Sequence, residues 1–206
     1  IVAMGQGGGV FTNDTELARK VRMYRDWGRQ SDIPRRTNGK KWPTLPEDYD
    51  SRFIYEKIGY NLSPLELQAA MGRVQLKKTE DIKEKRMRNF KYLYENLKKH
   101  EDLMMPIWVE GADPSWFSFP ITTLGKRGPL VAFLEEKGIE TRSMFAGNIL
   151  KHPAYKDVEC RSMPLDDANY ILEHSFWVPL HPRYTPKDLK YILDVFDEYY
   201  HENKSA

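Results

Sequence analysis

From Leu65 to about Lys99 the apolar residues Leu65, Leu67, Ala70, Met71, Val74, Leu76, Ile82, Phe90, Leu93 and Leu97 keep helical spacing. Ser63 is placed to cap the start of this run, with Pro64 at the first helical position and Glu66 three residues on to complete a capping box. Thr79-Glu80 marks a bend. A helical stretch of this length divides the chain into two parts of different character and reads as a connector between two domains.

Ahead of it, Gly5-Gln6-Gly7-Gly8-Gly9 is a glycine turn feeding a short strand over Val10-Phe11-Thr12. Asn13-Asp14-Thr15 offers helix N-cap chemistry, and Leu17, Val21 and Tyr24 share one helix face that Gly28 ends. Residues 28–57 are rich in Arg, Lys, Pro and Asp. Pro34, Pro43 and Pro46 block regular structure there, so the segment reads as a long surface loop. After His100 the pattern becomes short strands and helices. Strands are expected at Met104–Trp108, Trp116–Ile121, Ile139–Arg142 and Phe176–Leu180. Helices are expected from Pro129 to Lys137, from Asp166 to His174, and after Thr185 with Pro186 at the first position. Residues 143–165 read as irregular. The fold class is α/β. Residues 1–60 are a first part, 61–100 the connecting helices and 101–206 a small α/β domain. No internal repeat or low-complexity tract is found.

The chain has 206 residues and a formal net charge of +2, which gives no electrostatic case for nucleic acid. Pairs such as Lys40-Lys41 and Lys77-Lys78 read as solvated surface. No apolar run approaches the ~20 residues that span a bilayer. The one cysteine, Cys160, rules out an internal disulfide and a cysteine-based metal or iron–sulfur site within one chain, which fits a cytoplasmic setting. Ile1-Val2-Ala3-Met4 is not a signal peptide. It begins inside an apolar stretch, as expected of a piece of a longer protein, and that end is expected to expose apolar surface or to need another chain.

The residues by themselves give weak site signals. The Gly5–Gly9 turn lets backbone amides approach an anion or a flat cofactor, or it is a turn with no chemistry. It is neither a dinucleotide fingerprint nor a Walker loop, because the glycines precede a strand and no Gly-Lys-Ser/Thr follows. The histidines do not pair at metal-ligand spacing. His152 and His181 fall in loops after strands and are the better candidates for ligand contact. Nothing around Cys160 would activate a thiol.

Five stretches taken together, GQGGGVFTNDTELARKVRMYRDWG, GYNLSPLELQAAMGRVQL, DPSWFSFPIT, GIETRSMFAGN and FWVPLHPRYT, resemble the DegT/DnrJ/StrS group of sugar-nucleotide enzymes. Within the group RDWGR, LPEDYD, DPSWFSFPIT and RSMFAGN are most similar to the sugar 3-dehydratases such as CDP-4-keto-6-deoxyglucose 3-dehydratase. The resemblance implies the C-terminal part of a fold-type-I, aspartate-aminotransferase-like pyridoxal-phosphate enzyme: the end of a large domain, connecting helices and a small domain. It implies pyridoxamine or pyridoxal 5′-phosphate as cofactor and a nucleotide sugar as substrate, in deoxysugar and lipopolysaccharide biosynthesis. The chemistry is loss of the C3 hydroxyl from a 4-keto-6-deoxyhexose, with a sugar aminotransferase as the alternative.

In such enzymes the proton-shuttling residue is a lysine in aminotransferases and a histidine in dehydratases. It lies just ahead of the glycine turn, which places it upstream of Ile1, so no catalytic residue is expected in this chain. Gly5, Gly7 and Asn61 correspond to cofactor-binding positions, Asn61 as an uncharged donor to the phosphate of the neighbouring subunit's cofactor. Phe145 corresponds to an aromatic near the reacting sugar. Arg142 is a candidate for the pyrophosphate, and Asn148 and His181 for substrate contact. The loop from Gln30 to Tyr55 contains no cysteine, so no iron–sulfur ligands are present. Expected partners are a second copy in a homodimer or a complementing N-terminal chain, and a reductase. A non-catalytic dimerisation or scaffold fragment is the remaining reading.

Overall fold

The computed structural model describes residues 2–30, 42–46 and 48–204; Pro34 and the Lys40-Lys41 pair lie outside them. The chain divides into two compact units, Val2–Lys77 and one that begins at Lys78.

The first unit holds helices α1 (Thr15–Arg25) and α2 (Glu66–Leu76). Asp14 caps α1, its Oδ1 accepting the Leu17 amide at 3.0 Å, and Glu16 sits where a carboxylate suits the positive helix end. The helix stops as the sequence predicts, at a left-handed pair, Trp27 (φ 54) and Gly28 (φ 84). The Gly28 amide turns back to the Met23 carbonyl at 2.7 Å.

Gly28 does more than end a helix. A β-carbon there would lie 1.8 Å from the Lys57 carbonyl oxygen, and one on Gly59 would lie 2.2 Å from the Gly28 nitrogen. Two backbones meet at van der Waals distance because neither carries a side chain. Around that contact Trp27 donates to the Tyr60 carbonyl, Tyr60 to Tyr24, Leu62 to Arg25 and Gln30 to Ile54. The segment 54–62 is thereby fastened along the end of α1, and the base of the long loop is closed.

Two expectations change here. Val10–Thr12 forms no strand: Val10 and Phe11 are exposed, and no backbone group among the described residues pairs with them. A strand needs a partner for its amides and carbonyls. The second change concerns α2, which begins at Glu66 rather than behind Ser63. Leu65 is still extended (φ −80, ψ 148), and the Gln68 side chain, in place of Glu66, reaches back to accept the Leu65 amide at 2.9 Å.

The long helical run is two helices. It breaks at Lys77-Lys78, beside the predicted bend, and α3 (Thr79–Leu97) opens the second unit. There follow β1 (Leu103–Met104), β2 (Ser118–Thr123), α4 (Gly128–Glu136), β3 (Arg142–Ser143), α5 (Asp166–His174), β4 (Ser175–Pro179) and α6 (Pro186–Lys204). The strands form one antiparallel sheet in the order β1-β2-β4-β3. β1 and β3 are shorter than the sequence suggests. Pro106 has no amide to give a ladder. The Ile139 amide is taken by the Leu134 carbonyl at 2.9 Å, closing α4 over Gly138 (φ 77). The cap of α6 is as predicted: Thr185 Oγ1 accepts the Asp188 amide while the Asp188 carboxylate accepts from the Thr185 amide and hydroxyl. Those bonds hold the Asp188 carboxyl below its usual range.

Register places Phe119 opposite Val178 and Ile121 opposite Phe176, so one sheet face presents four buried apolar side chains. Phe90, Leu93 and Leu97 of α3, Leu130 and Leu134 of α4 and Leu189, Leu193 and Phe196 of α6 complete this core. Each such burial contributes about 1.5–3 kcal/mol. The first unit has nothing comparable: among its described residues Met23 and Ile54 are the buried large apolar ones. Ile58, Leu62, Leu65 and Leu67 are all more than 60% exposed.

Candidate functional site

In the second unit, functional candidates lie on the β3 edge and on the turn after it, which faces the segment leading into β2. Arg142 stands opposite Trp177 of β4, with its guanidinium carbon 6.0 Å from the Trp177 ring centroid and both Nε and Nη2 on Glu140. The chain then turns sharply. Gly147 donates to the Met144 carbonyl at 3.1 Å, and Gly147 has φ 58. A β-carbon on Gly147 would lie 2.8 Å from the Leu172 backbone of α5, so only glycine lets the turn seat there. His152 Nε2 meets the Ala146 carbonyl at 2.9 Å and steadies the same turn.

At its tip Phe145 has φ 46, a left-handed conformation uncommon for a bulky side chain, and is 76% exposed. It lines an open cleft of about 200 Å³ with Trp116, Phe117, Pro120 and Met144. Phe117 meets Trp177 edge-on at 5.5 Å, which continues the aromatic surface toward Arg142. Trp116 is anchored from behind by stacking on Phe90 of α3 at 4.7 Å. The walls are almost wholly apolar, with Ser115 and Ser118 completing them.

Phe145 lines this cleft, and Arg142 lines a separate one with Arg127, Thr141 and Ser143; Asn148 and His181 line neither. Asn148 is buried. Its Oδ1 caps the following 3-10 turn through the Leu150 amide, and its Nδ2 donates to Asn169 Oδ1 at 2.8 Å, so both ends of the amide are used inside the fold. His181 is exposed beyond the far end of β4, its Nδ1 accepting the Arg183 amide. Its carbonyl is held by Asn89 Nδ2 at 2.9 Å, and Asn89 is fully buried on α3. Beside it, burial pushes the Tyr184 phenol up. The sequence pattern did not single out Asn89: a polar residue one position before Phe90 carries no local sign of a contact 92 residues away.

The first unit carries the other candidates. Gly5 (φ 87) sits against α2, where Gln68 Nε2 reaches the Gln6 carbonyl at 3.3 Å and Met4 packs on Gly72. The amides of Gly7, Gly8 and Gly9 donate to no described residue, and a β-carbon on Gly8 would meet open space. Asn61 is exposed. Its backbone bridges Asp26, and its side-chain amide makes no hydrogen bond among the described residues. Next to it Arg29 lies over Trp27 at 4.6 Å, and Glu56 joins Arg19 to Gln30. Among the described residues no group of His, Cys, Asp and Glu is arranged to hold a metal ion. None of the described helices is long and apolar enough to cross a membrane.

A model of the DegT/DnrJ/EryC1/StrS aminotransferase family matches residues 1–197. The chain belongs to that family. Over 97% of its length it is 37% identical to the lipopolysaccharide biosynthesis protein RfbH of Salmonella typhimurium, covering 48% of that protein. It is 35% identical over 96% of its length to dTDP-4-dehydro-2,6-dideoxy-D-glucose 3-dehydratase of Saccharopolyspora spinosa, covering 46% of it. The structure of the E. coli GDP-4-keto-6-deoxy-D-mannose-3-dehydratase with bound hydrated PLP matches with a TM-score of 0.71 at 27% identity, over 89% of this chain and 48% of that one. The chain thus spans about half the length of the curated relatives it matches. Its α/β fold is that of the C-terminal part of a fold-type-I, aspartate-aminotransferase-like enzyme, as the sequence resemblance implied.

Proposed function

We propose that this family member is the C-terminal part of a sugar-nucleotide 3-dehydratase that removes the C3 hydroxyl of a 4-keto-6-deoxyhexose nucleotide with a vitamin B6 coenzyme. The observation that carries the reading is the contrast among relatives. Identity is 35% to a 3-dehydratase over 96% of the chain, against 23% to a Streptomyces venezuelae transaminase over 95%.

The residues present fit one end of such a coenzyme. The free amides of Gly7–Gly9 and the unengaged Asn61 carboxamide are uncharged donors of the kind a phosphate takes. Gly5 and Gly7 keep the turn open for them, and Asn61 is fastened in place by the Tyr60 and Leu62 bonds to α1. The bound coenzyme supplies an electron-withdrawing ring for bond cleavage beside the sugar ketone. In this reading the proton-transferring residue and the partner of the ring nitrogen belong to the half of the relatives' length that residues 1–206 do not cover. Arg142 is assigned to the substrate pyrophosphate and Phe145 to the sugar. Asn148 supports the Phe145 turn from within, and His181 is kept as a weaker substrate contact. The sparse core of the first unit supports a required partner, a second copy or a complementing chain, over Ile58, Leu62, Leu65 and Leu67. The setting is cytoplasmic, and a reductase supplies electrons.

Incubation of the protein with its complementing half, pyridoxamine phosphate, a reductant and a 4-keto-6-deoxyhexose nucleotide tests this by mass spectrometry. A product lacking the C3 oxygen is expected. An amino sugar formed from glutamate would replace the reading with the aminotransferase one, and unchanged substrate would favour a scaffold fragment.

A further inference from the structure

We infer that the cavity at the far end of β2, bounded by Asp102, Lys126 and Tyr200, is a binding site for a small apolar α-amino acid. The inference does not depend on the sugar-nucleotide reading.

Place and size come first. The cavity lies within the second unit. Asp102 stands just before β1, Thr123 ends β2, Lys126 and Leu130 flank the start of α4, and Tyr199 and Tyr200 come from α6. β2 begins at Ser118, which lines the Phe145 cleft, and ends at Thr123, which lines this cavity, so the two sites lie at opposite ends of one strand. The volume is about 190 Å³. Pockets for drug-sized ligands run to roughly 300–1,000 Å³. A nucleotide sugar is too large for this space, and a single amino acid is not.

The second observation is charge. The Asp102 carboxylate and the Lys126 ammonium line the same cavity, yet neither forms a hydrogen bond or ion pair with a described residue. Lys99 and Lys137, by contrast, are paired with Asp197 and Glu198 of α6. Opposite charges that share a cavity without closing on each other leave room for a ligand that carries both.

The third is Tyr200. It is 8% exposed and lines the cavity, and its hydroxyl bonds to none of the described residues. A buried tyrosine hydroxyl ordinarily has a partner. Burial and the nearby charge of Asp102 hold this phenol well above its ordinary range, so it remains a neutral group able to give and accept a hydrogen bond.

The fourth is rigidity. The Leu124 amide donates to the Asp102 carbonyl at 2.9 Å, and the Gly125 carbonyl accepts from Thr123 Oγ1 and from His174 Nδ1, each at 2.6 Å. The Tyr200 ring is stacked on His100 at 4.5 Å, and His100 Nε2 is 2.9 Å from Asp197 Oδ1. The walls are set before a ligand arrives, which lowers the cost of binding.

An α-amino acid uses each of these groups. Its ammonium faces Asp102 and the phenols, whose rings and oxygens attract a cation. Its carboxylate faces Lys126 and the Gly125 amide, which donates to no described residue. Its apolar side chain covers Leu130, the buried floor.

The test is calorimetric titration of the full chain with L-leucine, isoamylamine and isocaproate, the last two keeping the carbon chain and one charge each. Leucine is expected to bind with a millimolar or tighter dissociation constant, and each analogue about 10-fold more weakly. Asp102→Asn and Lys126→Met are each expected to weaken leucine binding about 10-fold, and Tyr200→Phe several-fold. Tyr200→Phe removes a hydroxyl that holds none of the described residues, and both charges are exposed, so thermal melts matching the parent chain serve as the folding control. No leucine binding at tens of millimolar would overturn the inference. Isoamylamine or isocaproate binding as tightly as leucine would overturn it in favour of a site for a single charge. Leucine binding that both charge variants leave intact would place the ligand elsewhere and overturn it as well.

Discussion

Replacing Gly28 by alanine tests how the Asn61 segment is held. Two costs arise. Gly28 has φ 84, and an L-residue in the left-handed region loses about 1–2 kcal/mol. The new β-carbon would also sit 1.8 Å from the Lys57 carbonyl oxygen, a backbone atom with no rotamer to escape into. The two backbones must separate, and three hydrogen bonds that bind them are strained: Gln30 to Ile54 at 3.0 Å, Glu56 to Gly28 at 2.9 Å and Trp27 to Tyr60 at 3.0 Å. At about 0.5–1.5 kcal/mol each, their loss brings the total to roughly 3–6 kcal/mol. Among its described residues the unit holding them buries little large apolar side chain beyond Met23 and Ile54, so the cost falls on local opening. Amide hydrogen exchange read by mass spectrometry on the peptides covering 54–62 should show faster exchange by a factor of at least 100 in Gly28→Ala. Peptides covering β2 and β4 should be unchanged. Gly8→Ala, whose β-carbon meets open space, is the control and should leave the pattern as it is. Exchange in 54–62 slowed or unchanged in Gly28→Ala would refute the idea that backbone contact positions this segment.

Other expectations are read in the second unit by urea denaturation. Phe119→Ala, in the centre of the sheet face, should cost about 3–5 kcal/mol, whereas Phe145→Ala should leave stability within about 0.5 kcal/mol. Asn89→Ala should cost about 1–3 kcal/mol, because it removes a fully buried amide and its bond to the partly buried carbonyl of His181; a neutral result would mean that water replaces the amide. A pH effect is expected at Asp197. Burial pushes its carboxyl up, but the hydrogen bonds and charges of Lys99 and His100 outweigh this and leave it below its usual range. A carboxyl depressed in the folded state stabilises fully above its unfolded pKa, about 3.9, and loses that contribution as pH falls through the folded value. Acid denaturation below about pH 4 should therefore be shallower in Asp197→Asn than in the parent chain, and parallel curves would contradict the assignment.

The helices were legible where local chemistry decides them. Asp14 before α1, Gly28 after it and Thr185-Pro186 before α6 are signals that act within one turn, and the structure has each in its role. Long-range pairing was less legible. Val10–Thr12 has strand composition but no partner among the described residues. Ile139 looks like the start of a strand, yet its amide closes α4 instead.

The candidate site followed the same rule. Phe145 and Asn61 were reachable through resemblance, but the positive φ of Phe145, the wedge at Gly147 and the wall formed by Trp116 and Phe117 exist only after β2 and β3 are brought to one sheet. Asn148, a substrate candidate in the sequence, spends its amide on Leu150 and Asn169 because the turn it follows needs a cap.

The central claim is that the first unit receives the phosphate end of a B6 coenzyme through neutral donors. Phosphorus NMR of pyridoxamine phosphate, which cannot form imines with surface lysines, measures that contact directly as the protein is added. The account predicts a shifted and broadened resonance that Asn61→Ala returns toward the free position, with folding unaffected because that side-chain amide bonds to none of the described residues. A resonance that stays at the free position with excess protein, or one that Asn61→Ala does not alter, would contradict it.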